Sequence, residues 1–208
     1  KFQTVVYNPT TTADHEGIIE VQNAANGTGE EVFGLVYWVT GVQAGVNINQ
    51  TNTNKVYNGE HSVDMATTNT QSKLIDLIKD GRYAFHRVGD DIRVLDDINS
   101  FTSFTVDKNE DFGQNQLIRI IDQIAIDTAS LFNTRYLGKV PNDADGRISL
   151  WNDISTHRLE LQRLRAIQNY DVSKLIITQG NSKNAVLASE EIEWTSAMTK
   201  LYITTVVA

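Results

Sequence analysis

Between Gln116 and Thr134 the polar residues Gln116, Arg119, Gln123, Asp127, Ser130 and Thr134 recur at intervals of 3, 4, 4, 3 and 4. A strand cannot present that pattern on one face, because strands repeat every two residues and helices about every 3.6. Leu117, Ile121, Ile124, Ala125, Leu131 and Phe132 fill the opposite side, so the spacing predicts one long amphipathic helix with a stripe to bury. Asp107 and Glu110 resemble a capping box at its start, and Gly138 stands where a helix ends, which sets its bounds near 107 and 137. A turn over Pro141–Gly146 leads into a second helix reaching about Ile167, with Leu150, Ile154, Leu161 and Leu164 facing inward and His157 among them. Strands are expected over Lys174–Thr178 and Ala185–Trp194, around a Gly180-Asn181 turn.

Before residue 97 the texture is different, rich in Asn, Thr and Gly with short apolar runs. The pattern predicts a strand over Gly17–Gln22, helices over Glu30–Ala44 and Gln71–Lys79, and a hairpin of Tyr83–Val88 and Ile92–Leu95 turning at Gly89-Asp90-Asp91. The tract Asn47–Asn54 reads as a surface loop. The whole is a mixture of α/β and α+β: an α/β layered region over 1–97, then a domain over 98–208 of two long helices packed on a small sheet. The chain closes on Leu201, Tyr202, Ile203, Thr204, Thr205, Val206, Val207 and Ala208, a β-prone and uncharged run. On an open edge such a run invites pairing with another chain, so it is either a central strand of its own sheet or a strand meant for a neighbour.

Several functions are excluded or left without support. Eighteen basic against 26 acidic residues give a formal charge of −8, which argues against a protein held to nucleic acid by its phosphates. The absence of Cys removes disulfides, thiolate metal sites and a Cys nucleophile. The most apolar stretch, Val32–Val46, is 15 residues broken by Gly34, Gly41 and Gly45, short of the roughly 20 a bilayer needs, and reads as a buried helix. Gly180-Asn181-Ser182-Lys183-Asn184 lacks the second glycine of a nucleophile elbow. Gly138-Lys139 is followed by Val140 where a phosphate loop needs Ser or Thr, and Gly27-Thr28-Gly29 by Val32 where a dinucleotide fingerprint needs Gly. Asp143-x-Asp145-Gly146 aligns with a calcium loop only if Pro141 and Asn152 act as its first and last ligands, which neither can do. His15, His61, His86 and His157 share no ligand spacing. The acidic pairs 30–31, 90–91, 96–97 and 190–191 are adjacent in sequence, point apart, and read as solvated faces or helix starts. No catalytic, cofactor or metal residue is assigned.

Longer runs carry a resemblance. They are Ile98-Asn99-Ser100-Phe101-Thr102-Ser103-Phe104-Thr105, Asp107–Phe112, Arg119–Ala125, Leu137–Val140, Asn142–Arg147 and the ending Met198-Thr199-Lys200-Leu201-Tyr202. In this order they resemble the C-terminal part of contractile tail sheath proteins of phages and of phage-tail-like particles of Gram-positive bacteria. Tyr7, Glu16–Ile19 and Ala44–Gln50 resemble the family more weakly, and Thr199 stands where the family usually has Glu.

The resemblance implies a structural subunit, not an enzyme. It would stack with copies of itself as six-fold rings in a helical sheath around a tail tube protein, meet a baseplate, and contract to drive the tube through a cell envelope. No cofactor, direct nucleic-acid contact or membrane insertion is implied, and the place would be a virion tail or tail-like particle assembled in the bacterial cytoplasm. The family's terminal arms add strands to a neighbour's sheet, which makes Leu201–Val207 the expected inter-subunit strand. The chain starts on Lys1, inside the family pattern, so it is expected to be N-terminally incomplete and monomeric or weakly associating by itself. An extracellular adhesive or glycan-binding module, suggested by the Asn/Thr tract, and a hydrolase-like enzyme with dispersed groups are the alternatives.

Overall fold

The computed structural model describes residues 3–8 and 10–206. It is a mixed α/β protein with four α-helices and small sheets among those residues, and it divides into two compact units. Residues 1–118 with 197–208 form one unit and 119–196 the other.

In the first unit, β1 (Thr4–Tyr7), β2 (Ile18–Val21) and β3 (Arg82–Tyr83) form a parallel sheet with β2 in the middle. Thr4 lies opposite Ile18 and Val21 opposite Tyr83. Central parallel strands are covered on both faces, and Ile19, Glu20 and Val21 are all buried. The Glu20 carboxylate is therefore paired, 2.9 Å from the Arg82 guanidinium and accepting from Asn8 and the Ala13 amide. The Arg82 fork reaches the carbonyls of Asn8 and Thr11 as well, so it ties the chain leaving β1 to the sheet.

A 3-10 turn over Gly29–Phe33 precedes α1 (Gly34–Gly45), where a single helix from Glu30 was expected. Leu35, Val39 and Gln43 repeat every four residues and form the buried stripe of α1. The helix is not buried all round: Tyr37 is 77% exposed, because one stripe is all that a helix lying on a sheet can hide. The core joins Ile19, Val21, Leu35, Val39, Tyr83, Phe85 and Val94. Trp38 and Tyr57 close it with edge contacts to the Phe85 ring at 5.6 and 5.5 Å.

α2 (Gln71–Lys79) has the expected bounds, and the Thr70 hydroxyl caps it by accepting from the Lys73 amide. The expected first arm of the hairpin is split. Tyr83 belongs to β3, while β4 (Phe85–Val88) pairs antiparallel with β5 (Asp91–Val94). The break at Ala84 is held by the Phe85 amide donating to Asn23 and the Leu95 amide to the Ala84 carbonyl. Gly89, with φ 60°, turns the hairpin.

The Asn/Thr tract is not a free loop. Asn52 is fully buried, and Thr51–Thr53 wrap the carboxylates of Asp96 and Asp97. Asp97 is itself fully buried. Its Oδ1 accepts from Gln43 (2.5 Å) and Asn115 (2.9 Å), and its Oδ2 from the Asn52 amide (2.9 Å) and the Thr51 hydroxyl (3.1 Å). Asp97 is thus a buried clasp and not part of a solvated face, because donors from three separate segments replace the water its carboxylate would otherwise need, while Asp96 beside it is half-buried.

The division between units falls inside α3 (Asn115–Leu131). This helix starts eight residues later than the acidic start at Asp107 suggests. Asn109 instead accepts from the Asp111 amide and opens a short 3-10 turn over Glu110–Gly113. The stripe is also imperfect: Gln116 is buried while Ile121 and Ala125 are exposed. α3 ends in a π turn over Phe132–Tyr136, and Gly138, with φ 68°, lets the chain reverse.

In the second unit, α4 (Ala144–Arg163) begins at Asp143, whose side chain accepts from the Gly146 amide. It stops short of Ile167 because Arg165 adopts φ 62° and the Ala166 and Arg165 amides return to the carbonyls of Leu161 and Gln162. Leu164 is left exposed, while Leu150, Ile154 and Leu161 are buried. β6 (Ile167–Gln168) pairs with β9 (Glu193–Trp194), and β7 (Ile176–Gln179) with β8 (Val186–Ser189), all antiparallel. Tyr136, Leu150, Ile154 and Leu175 form the core, with Trp151, Ile177 and Val186 packed against it.

Candidate functional site

The densest polar cluster lies in the second unit. Arg158 is nearly fully buried on α4 and donates to both oxygens of Glu190 (2.7–3.1 Å) and to the Thr128 hydroxyl (2.9 Å). It also faces His157 Nδ1 at 2.6 Å. An arginine only donates, so Nδ1 accepts and Nε2–H donates to Asp127 Oδ2 at 2.8 Å. The Tyr170 hydroxyl donates to Glu190, and burial together with that carboxylate pushes its pKa up to about 12. Every group here is consumed by another. His157 therefore has no free nitrogen for proton transfer, and Glu190, expected on a solvated face, is the counter-ion of a buried cation.

The remaining motif residues are local structure. His15 Nδ1 accepts from the Gly17 amide, and the His61 ring fills the space a Cβ at Gly34 would need. His86 is half-buried, its pKa lowered by burial and by Arg93. Ser182 donates to Asn184 and Asp143 caps α4. No grouping of three or more His, Asp or Glu suited to a metal exists among the described residues. None of their helices is long and apolar enough to cross a membrane.

The segment singled out at the terminus has a distinct geometry. The Ala197 amide donates to the buried Gln116 side chain, which anchors the start of the segment in the first unit. From there to Val206 the chain forms neither helix nor strand. Leu201, Tyr202, Ile203 and Val206 are exposed, Tyr202 to 88%, and so are Thr204 and Thr205; Val207 lies outside the described residues. In the second unit, β7 and β8 form a two-stranded sheet that exposes Ile176 and Leu187. A two-stranded ribbon has an outer edge on each strand with main-chain groups able to take a further strand.

Comparisons with known proteins match both parts of the chain. Residues 1–100 fit the model of the phage tail sheath protein central domain, and residues 107–208 that of the phage tail sheath C-terminal domain. The crystal structure of the sheath tail protein from Desulfitobacterium hafniense is 31% identical, with a TM-score of 0.81, over 98% of this chain and 48% of that one. The phage-like element PBSX protein XkdK of Bacillus subtilis is 26% identical over 201 residues, covering 91% of this chain and 43% of its own length. The tail sheath protein of Clostridium phage phiCD119 is 25% identical over 158 residues, 76% of this chain and 44% of its own. The chain thus spans less than half the length of each of these three relatives.

Proposed function

The chain belongs to the phage tail sheath family, and on that premise we propose that it is the polymer-forming part of a contractile sheath subunit. The subunit stacks with copies of itself as six-fold rings around an inner tube, meets the baseplate at one end, and contracts to drive the tube through a cell envelope. Its role is structural, in a phage tail or tail-like particle assembled in the bacterial cytoplasm. Residues 1–97 supply the layered middle domain and 98–208 the domain of two helices on a small sheet.

The observation that carries this reading is the terminal segment. An apolar run left in the open, beginning at a fixed anchor, suits a strand that completes its hydrogen bonds only on a neighbour. Strand addition supplies affinity through the main chain, and Leu201, Tyr202, Ile203, Thr204, Thr205, Val206 and Val207 are its inter-subunit strand. Contacts that join two different patches and do not close generate a helical stack.

The test is negative-stain microscopy of the complete gene product and of the same protein lacking Leu201–Ala208. Hollow striated tubes from the first and none from the second are expected, with the truncated protein melting as before. Tubes from both would remove the strand from the mechanism. A large drop in melting temperature would make the segment a strand of its own fold.

A further inference from the structure

The turn before α3 is a knob closed by its own hydrogen bonds. The Thr105 amide donates to the Lys108 carbonyl (2.8 Å) and the Lys108 amide to the Thr105 hydroxyl (3.1 Å), so Val106 and Asp107 are clamped at the tip. Lys108 pins the turn to the body of the unit: its ammonium lies 2.9 Å from Glu16 and 5.7 Å from the centre of the Phe101 ring. Asp14 holds the preceding segment by accepting from the Thr102 and Ser103 amides. At this tip Val106 is 101% exposed, as open as an unfolded residue. With Lys108 neutralised by Glu16, the nearby charges left over are the exposed Asp107 and Glu110 and the half-buried Asp111. An apolar side chain held out in an acidic surround gains nothing in the free molecule, and a preordered tip loses little entropy on docking.

The second unit contains a pocket with the opposite character. It has a volume of about 280 Å³, a floor of Phe132, Leu150 and Val186, and the cations Arg147 and Lys183 in its walls, with no carboxylate among the residues that line it. Arg147 is fixed by two 3.0 Å bonds to Asn142, whereas Lys183 is exposed. Both units are net acidic, the first far more so. The first unit carries nine basic and sixteen acidic residues, a formal −7, and the second nine and ten, a formal −1.

We propose that the Val106–Asp107 tip of one copy docks in the Phe132/Leu150/Val186 pocket of a second copy, Val106 filling the apolar floor and Asp107 meeting Lys183. The proposal rests on the reading of this chain as a self-assembling subunit. It adds a contact that does not involve the terminal segment, and that uses side chains and not the main-chain groups of a strand. Knob and pocket are different surfaces, so the contact is head-to-tail and propagates. The apolar contact supplies the affinity, and the charge pair sets partner and register.

These 208 residues contain no Cys, so the cross-link is read in the complete gene product after any Cys outside them has been replaced by Ser. Val106→Cys and Asn184→Cys in the complete gene product should give a disulfide-linked ladder on non-reducing gels under mild oxidation, and neither single variant should give more than dimers. A monomer of altered mobility would place the tip in its own chain's pocket, and no cross-link would leave it unseated; either result overturns the proposal. This readout needs no tubes, so it stands apart from the failure of the sheath reading, which shows as wild-type protein without tubes.

Charge exchange supplies a second arm. Asp107→Lys and Lys183→Glu each lower the pelletable polymer at least tenfold, and the two together restore it. Both sites are exposed, so the monomers should melt like the wild type. Equal loss in the double variant would overturn the pairing.

Discussion

Replacing Asp97 by Ala removes the acceptor for four donors at once. Three of them are on buried residues: the Gln43 and Asn115 side chains and the Asn52 amide. A buried donor left without a partner costs about 1–3 kcal/mol, so the gross loss is about 3–9 kcal/mol. Relief of the carboxylate's own desolvation and entry of water into the vacated space offset part of it, which leaves about 3–5 kcal/mol. Against a typical stability of about 5–15 kcal/mol this is a large fraction. Asp97→Asn keeps one oxygen for Gln43 and Asn115 but turns an NH2 toward the Asn52 amide, so about half the loss is expected. Urea unfolding at pH 7, followed by far-ultraviolet circular dichroism, measures both variants, and the midpoint should move while the slope does not. A loss below about 1 kcal/mol for Asp97→Ala, or an Asn variant worse than Ala, would refute the view that the clasp is held by its charge.

Two further outcomes are expected. Asp14 has its pKa lowered from 3.8 to about 2 by the Ser103 hydroxyl and by the Thr102 and Ser103 amides. A depressed carboxylate stabilises the fold above its unfolded value and loses that contribution as pH falls from about 4 to about 2, so Asp14→Asn should flatten this part of a stability-against-pH curve. Glu190→Ala strands the buried Arg158 cation and should cost about 3–5 kcal/mol in chemical denaturation, whereas replacing Arg158 and Glu190 together by Met and Leu should cost much less.

Local chemistry was legible in the residues; long-range polar pairing was not. α2 matches its expected bounds because Thr70 caps it and Asp80-Gly81 ends it, both within a few residues of the helix. Asp143 as a cap and Gly138 as a left-handed terminator follow from the same near-neighbour rules. The start of α3 was misplaced because Asp107 and Glu110 mimic a cap that belongs to a turn and a 3-10 segment. In the sequence Asp97 and Glu190 look like surface acids because their partners lie 18 to 54 residues away, and no periodicity links a carboxylate to a distant Gln or Arg. The run Leu201–Val206 is legible as lacking charge, and in the fold it is exposed and belongs to no strand.

The Asp97 clasp also bears on the order in which the first unit forms. Its partners are Gln43, 54 positions away, Thr51 and Asn52 at 46 and 45, and Asn115 at 18. Each such closure costs chain entropy before any bond rewards it, and the bonds protect a carboxylate only when all are made together. The clasp is therefore expected to close late, after the sheet and α1 have brought those segments together, with φ-values near zero at Asp97 as the check. A chain with α1 docked one turn out of place would leave Gln43 beyond reach and a buried charge unanswered. The carboxylate thus acts as a proofreading step, admitting only the register in which every donor arrives.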